Sequence, residues 1–307
     1  MNILVTGGAG FIGSHIAERF IQDGHRVVVF DNFLTGKKEN IHPDAIFYEI
    51  DIRDEKIKDI IRNEKIEVIY HQAAQIDLRK SVASPIFDAE VNILGSINIC
   101  EAAKDAEVKK IIFSSTGGAI YGEQTVFPAP ETHQLNPLSP YGIAKLSFEK
   151  YLFYYKHVYG LDYVILRYAN IYGPRQESHG EAGVVAIFID KILSDIVPVI
   201  NGDGTQTRDF TFVGDVVNAN SAALSFEGSD IFNVGTGKET DINALWNMLK
   251  EETEFKGVIT HGPAKDGEQK RSVIDSAKIT KTLGWKQKYD IETGLKETVQ
   301  WFKNRAK

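Results

Sequence analysis

Tyr141 and Lys145 stand four residues apart in Ser139-Pro140-Tyr141-Gly142-Ile143-Ala144-Lys145, where Ser139 suits a helix N-cap and Pro140 its first turn. That spacing projects both side chains from one helix face. A phenol with a pKa near ~10 is a poor base at neutral pH. A nearby ammonium favours the phenolate and brings the group toward the range of a working acid–base residue. Thr116 lies in a second polar run, Ser114-Ser115-Thr116-Gly117-Gly118-Ala119-Ile120-Tyr121-Gly122, directly after an apolar stretch, Lys110–Ser114. A hydroxyl there can bind a substrate oxygen next to Tyr141, and Ser115 stands beside it as a second candidate. Taken alone, these residues also fit an exposed tyrosine, a solvated lysine and a polar strand end.

A third run changes the balance. Thr6-Gly7-Gly8-Ala9-Gly10-Phe11-Ile12-Gly13 follows an apolar segment and opens an amphipathic one. Glycines in this pattern make a tight turn, let backbone N–H groups approach a pyrophosphate, and let helix pack on strand. Asp31, 18 residues beyond Gly13, ends the next apolar run. A carboxylate there accepts hydrogen bonds from an adenosine ribose and repels a 2′-phosphate, so the expected cofactor is NAD and not NADP. Gly237-Lys238 is followed by Glu239 and lacks the earlier glycine of a P-loop.

The elements that position these groups are legible in outline. Short Val/Ile-rich runs at Ile3–Val5, Arg26–Phe30, Val68–Tyr70, Lys110–Ser114 and Tyr163–Leu166 read as strands buried on both faces. Helical patterns at Phe11–Asp23, Glu55–Arg62, Pro85–Lys104 and Pro140–Tyr159 alternate with them, and Gly24 ends the first. The alternation predicts an α/β fold: a doubly wound, parallel, Rossmann-type sheet. After Ile171 the rhythm loosens, with helices at Val217–Phe226, Asn243–Lys250 and Leu295–Phe302 and a strand at Ile231–Val234. We expect an NAD-binding domain over 1–169 and a smaller, mixed substrate domain over 170–307, with segments near 207–235 returning to the first.

Composition excludes several classes. The 307 residues carry 35 basic and 42 acidic side chains, a net charge of −7, without a basic block. That argues against nucleic acid or an anionic membrane as partner. A single cysteine, Cys100, rules out an internal disulfide and suits a reducing compartment, so a cytoplasmic location is expected. Met1–Thr6 reads as a strand and not as a signal peptide, no apolar run approaches the ~20 residues of a membrane span, and the histidines form no metal motif.

Together, the glycine loop, Asp31, the Tyr141–Lys145 pair and the Ser114–Gly122 run resemble the extended short-chain dehydrogenase/reductases, and within them the UDP-glucose 4-epimerases. The likeness spans nearly the whole chain, including Leu166-Arg167-Tyr168-Ala169-Asn170-Ile171-Tyr172-Gly173-Pro174-Arg175 and Gly202-Asp203-Gly204-Thr205-Gln206-Thr207-Arg208-Asp209-Phe210. The resemblance implies that Gly7, Gly10, Phe11, Ile12, Gly13, Asp31, Asn32, Asp51, Ile52, Ala73, Ala74 and Asn92 contact NAD, with Tyr141 and Lys145 at its nicotinamide end. It implies Tyr141 as catalytic base, Thr116 as hydroxyl partner, and Asn170 and Arg208 as holders of a UDP-sugar diphosphate. An arginine suits that task because its planar fork bonds phosphate oxygens in pairs.

Three departures from the family pattern stand out: an extra glycine after Thr116, alanine at Ala169 where an aromatic is common, and Lys265-Asp266-Gly267-Glu268 where arginine and Gly-Asp are usual. Lys265 and Glu268 are the corresponding candidates for uridine contacts, and Ser272 for the wall beside the sugar's C2 substituent. A small Ser272 leaves room for an acetamido group, so UDP-GlcNAc is expected as a substrate beside UDP-glucose. The implied reaction inverts C4 through a transient 4-keto sugar. A 4,6-dehydratase or decarboxylase is the nearest alternative, but those relatives place an acid beside the catalytic hydroxyl, where this chain has Gly117-Gly118-Ala119. A nonenzymatic NAD-sensing protein is the alternative from another class; retention of both Tyr141 and Lys145 argues against it. Phe148, Tyr151, Leu152, Phe153, Tyr154 and Tyr155 span too wide an arc for one core-facing stripe, and relatives pair this helix with its copy, so a homodimer is expected.

Overall fold

The computed structural model describes residues 1–178, 183–264 and 269–305. Its organisation follows from the first strand. Ile3, Leu4 and Val5 of β1 (Asn2–Thr6) are wholly buried, and successive side chains leave a strand on opposite faces. Ile3 and Val5 therefore enter one apolar layer, and Leu4 enters the other. Each such side chain contributes about 1.5–3 kcal/mol when buried, so both faces must be covered by helices.

The remaining strands of the main sheet are β2 (Arg26–Asp31), β3 (Ile46–Glu49), β4 (Val68–His71), β5 (Lys110–Thr116), β6 (Asp162–Tyr168) and β7 (Asp230–Val234). All pair in parallel, in the order β7–β6–β5–β4–β1–β2–β3. One layer holds α1 (Phe11–Gln22), α8 (Val213–Leu224), α10 (Ala277–Leu283) and Trp285; the other holds α2 (Ile57–Asn63), α5 (Ser96–Asp105) and α6 (Pro140–Tyr159). This is the doubly wound sheet expected. β3 is the strand that the sequence reading omits. Its residues are only partly buried or exposed at the sheet's edge, so it lacks the continuous apolar run of an inner strand.

Two helices differ from expectation. α2 starts at Ile57 and not at Glu55. The stretch from Pro85 is not one regular helix. A short α3 (Leu78–Ala83) precedes it, and α4 (Pro85–Ala89) then passes through π-helical turns at Glu90–Gly95 into α5. A Cβ on Gly95 would lie 2.8 Å from Ile52 Cδ1, so these turns lie close against the segment after β3.

Beyond Ala169 the chain builds a smaller part around α7 (Val184–Leu193), α9 (Ile242–Thr253) and α11 (Ile291–Arg305), which share a third apolar cluster. Short strand pairs tie it together: Asn170–Tyr172 beside Phe210–Phe212, and Thr207–Arg208 between Thr240–Asp241 and Arg271–Ser272. In between, α8 and β7 return to the main sheet. The last of these strands ends at Ser272. Val273 and Ile274 instead border Ala129: Ala129 N donates to Val273 O at 3.0 Å, and Ile274 forms a parallel bridge with Ala129.

Candidate active site

Backbone shape dictates the glycine loop. Gly7 has φ +69°, and a Cβ there would lie 2.8 Å from Ala73 N; at Gly13 it would lie 2.2 Å from Gly7 O. Neither position has room for any side chain. At Gly10, the N-cap of α1, the nearest atom would be Gly7 O at 3.1 Å. α1 has no side-chain cap and no acid in its first turn, so its N-terminal N–H groups and positive end suit an anion. Phe11 and Ile12 are half-buried in that turn.

A pocket opens from this loop across the ends of β2 and β4, lined by Gly7, Asp31, Asn32, Asp51, Ile52, Ala73 and Ala74 among others. Asp31 is buried. Its Oδ2 accepts Ala9 N at 3.0 Å and its Oδ1 accepts Phe33 N at 2.9 Å. Burial raises its carboxyl above the usual range, and the two amides work the other way. Asp31 thus braces the glycine loop as well as facing the pocket. Asn32 Nδ2 donates to Asp51 Oδ2 at 2.8 Å, and the Arg53 guanidinium holds Asp51 down at about 2. The glycine cradle, the uncapped helix and this acid-lined pocket fit an adenine dinucleotide.

Asn92, implied by the resemblance as an NAD contact, is tied into the protein through its amide. It is buried, its Oδ1 accepts Gln75 N at 2.9 Å, and its Nδ2 donates to Gln75 O at 2.8 Å and Asp88 Oδ1 at 3.0 Å. The amide therefore shapes the loop after Ala74.

Tyr141 and Lys145 sit in the first two turns of α6. Ser139 Oγ accepts Gly142 N at 3.1 Å, and Pro140 occupies the first turn, as read from the sequence. Lys145 is buried, donates to Ser114 O at 2.9 Å, and lies 5.7 Å from the centre of the Tyr141 ring. Burial brings its amine down to about 7, while Asp88 and Glu149 favour the charged form. The Tyr141 phenol shifts opposite to expectation: burial pushes it up, and the Asp88 carboxylate adds to the rise. Within the protein alone, Lys145 does not overcome that burial. Phenolate here needs further positive charge.

Thr116 ends β5, and its Oγ1 accepts Ala119 N at 3.1 Å. Ser115 points elsewhere, since neighbouring strand residues face opposite ways. It is buried, and its Oγ donates to Glu149 Oε1 at 2.6 Å. Thr116 is the hydroxyl on the cleft side.

Glu149 introduces a network that sequence reasoning missed. Arg167 Nη2 donates to Glu149 Oε2 at 2.6 Å and Arg167 Nε to Glu149 Oε1 at 3.0 Å, with both side chains 2% exposed. Arg167 Nη1 donates to Tyr121 Oη at 3.1 Å, and Tyr121 Oη donates to Asn233 Oδ1 at 2.6 Å. The chain of contacts joins α6, β5, β6, the Gly117–Gly122 turn and β7. A paired carboxylate at the third step of the Tyr141–Lys145 face could have been suspected, because an arginine inside the run Val164-Ile165-Leu166-Arg167 demands a buried partner.

On the other side of the cleft, Thr116, Asn170 and Ser272 converge beside Gly118: a Cβ there would lie 3.8 Å from Thr116 Oγ1, 3.9 Å from Asn170 Oδ1 and 4.0 Å from Ser272 Oγ. Asn170 Oδ1 is buried without a hydrogen-bond partner among the described residues. Arg208 pairs in register with Ser272, and its Nη1 donates to Thr207 O at 2.7 Å. The adjoining Asp209, fully buried, fixes these strands: its carboxylate accepts Thr236 N at 2.8 Å, Thr236 Oγ1 at 2.7 Å and Gly237 N at 3.1 Å. Lys265 and Glu268 lie outside the described residues. Among the described residues, no cluster of His, Cys, Asp and Glu could hold a metal, and no helix is long and apolar enough to cross a membrane.

Residues 3–235 match the model of the NAD dependent epimerase/dehydratase family. A putative UDP-glucose 4-epimerase of Methanocaldococcus jannaschii is 48% identical over 98% of both chains. Among solved structures, UDP-glucose 4-epimerase of Thermotoga maritima with UDP-glucose is 47% identical, with TM-score 0.98 over all of both chains. The enzyme of the same name from Thermus thermophilus, complexed with NAD, is 41% identical, with TM-score 0.94 over 99% of each chain. With the glycine cradle and the Tyr141–Lys145 pair in place, this chain belongs to the NAD dependent epimerase/dehydratase family, as an isomerase of the UDP-glucose 4-epimerase type that uses NAD.

Proposed function

We propose that the protein interconverts UDP-glucose and UDP-galactose by inverting C4 through a transient 4-keto sugar. The observation that carries this reading is the Tyr141–Lys145 pair at the start of α6, tied by Lys145 to Ser114 O of β5, the strand whose last residue, Thr116, converges with Asn170 and Ser272 beside Gly118. Bound NAD supplies a reversible hydride acceptor and, when oxidised, a positive charge. Tyr141 holds the proton taken from the 4-hydroxyl and gives it back to the same oxygen once the keto sugar has turned. The Thr116 hydroxyl hydrogen-bonds that oxygen. Asn170 and Arg208 hold the diphosphate and leave the hexose free to swing. No acid stands beside Thr116 to assist chemistry at C5 or C6, which disfavours a dehydratase or decarboxylase.

Incubation with UDP-glucose, UDP-GlcNAc and UDP-xylose, followed by separation of the products, tests the reading. UDP-galactose is expected from UDP-glucose; a 4-keto-6-deoxy sugar would overturn the proposal in favour of a dehydratase. Ser272 is small and buried at the converging wall, so UDP-GlcNAc is expected to turn over too, and Ser272→Tyr to suppress that activity while sparing UDP-glucose.

The assembly we propose is a homodimer. Phe148, Leu152 and Tyr155 of α6 face the core, but Phe153, Tyr154, Val158 and Tyr159 are exposed, as are Ile86 on α4 and Leu94 in the π-helical turns. No part of the chain among the described residues covers this apolar face, which is the kind of surface that a second copy buries. A monomer mass by light scattering at micromolar concentration would refute it.

A further inference from the structure

The turn after β5 carries three glycines, and two are explained by the protein itself. A Cβ on Gly117 would lie 2.7 Å from Ile274 Cδ1. Gly122 has φ +64°, and a Cβ there would lie 2.0 Å from Asn136 O. Gly118 is different. Its φ is not in the left-handed region, and an added Cβ would meet nothing closer than 3.8 Å, an ordinary contact. Neither backbone strain nor packing within the chain requires glycine there. Yet the space a methyl would take is bordered by Thr116 Oγ1, Asn170 Oδ1 and Ser272 Oγ, three polar groups from separate segments. Asn170 Oδ1 is a buried acceptor with no partner among the described residues, and a hydrogen-bond donor from a ligand would complete it. Glycine at a position that the fold leaves open marks a close approach of backbone to ligand.

We propose that Gly118 is a specificity-determining residue: its missing side chain leaves the space that a hydroxyl-bearing sugar ring occupies between Thr116, Asn170 and Ser272. The inference rests on the UDP-sugar reading of the site. A single methyl takes volume from the sugar while meeting the protein only at ordinary contact distances. Gly118→Ala therefore keeps the fold and the nucleotide contacts while crowding the hexose, and crowds a hexose with a bulky C2 substituent more.

Calorimetry of wild type and Gly118→Ala with UDP, UDP-glucose and UDP-GlcNAc, each with NAD present, reads this directly. UDP is expected to bind both forms alike, and the variant's thermal midpoint to match wild type. UDP-glucose is expected to bind the variant about 10- to 200-fold more weakly, the usual worth of one misplaced carbon in a fitted pocket, and UDP-GlcNAc more weakly still. Unchanged UDP-glucose affinity in the variant overturns the role of Gly118 and leaves the proposed function standing. An equal loss for UDP and UDP-glucose also overturns it, since the methyl then acts through the turn and not through the sugar. Wild type that binds UDP but neither UDP-sugar removes the proposed function and this inference with it.

Discussion

At the cofactor end of the cleft, the consecutive residues Thr6 to Gly13 supply a turn, a helix N-terminus and the backbone N–H groups facing the ligand space. At the sugar end, Thr116, Asn170, Arg208 and Ser272 come from four separate strands, three of them only two or three residues long. The first end works through backbone shape: side chains at Gly7 and Gly13 are forbidden by the loop's own surroundings. The second works through side chains, and Gly118 beside them is open to substitution. A site made of backbone is carried by a contiguous motif. A site made of side chains depends on strand bridges such as Arg208 beside Ser272, which local sequence does not encode.

Changes confined to one end separate the two. The largest effect is expected for Tyr141→Phe, which removes the acid–base group and leaves the glycine cradle intact. Turnover should fall by about 10²–10⁴ while NAD remains bound, the usual worth of a positioned proton-transfer group. Near-normal turnover, or loss of NAD along with activity, would break the separation.

Arg167→Met strikes the buried network that ties α6 to β5, β6 and β7. It strands the Glu149 carboxylate, 2% exposed, without its partner, and an uncompensated buried charge costs about 3–5 kcal/mol. Chemical denaturation should show a loss of that size; a change below ~1 kcal/mol would mean that the pair does not hold β6 to α6.

The pH dependence of apo-protein stability isolates Lys145. Unfolded, its amine keeps its proton to about pH 10.5, whereas the folded group releases it above about 7. The unfolded chain therefore binds more protons between those values, so this group makes stability rise with pH, by up to ~1.4 kcal/mol per pH unit. Lys145→Met should flatten the rise between pH 7 and 9. Parallel curves for the two forms would contradict the burial of a neutral amine.

The smallest effect is expected at Asp31. Asp31→Ala should narrow the preference for NAD over NADP by roughly tenfold. The Ala9 amide loses its acceptor as well, so the ratio of the two affinities is the measure, not either one alone. An unchanged ratio would show that the discrimination lies elsewhere in the pocket.

The same contrast explains what is legible in the sequence. The doubly wound sheet, the N-cap at Ser139 and the end of α1 beside Gly24 follow from local patterns of apolar residues, proline and glycine. β3 escapes such a reading because its residues are half-solvated at an edge. The π-helical turns escape it because the sequence from Pro85 keeps a helical apolar period, while the hydrogen bonds of Asn92 to a distant loop set the local geometry. The bonds of the Asn92 amide to Gln75 and Asp88 have no local sequence signal either. Asp209 gives no signal, since a carboxylate among short strands looks like a turn residue until its five amide and hydroxyl donors are seen.

The return of the chain to the main sheet has a mechanical consequence. Besides its later excursion to the sheet through α10 and Trp285, the polypeptide passes between sheet and smaller part at Ala169, again at the junction of Phe210–Phe212 with α8, and again at Gly235. These passages run side by side: Ala169 N donates to Val234 O at 3.0 Å, and Asn170 pairs with Phe210. A single tether would let one part swivel on the other. A row of three, backed by the further crossings on either side of α10, resists that torsion and keeps the two ends of the cleft in register.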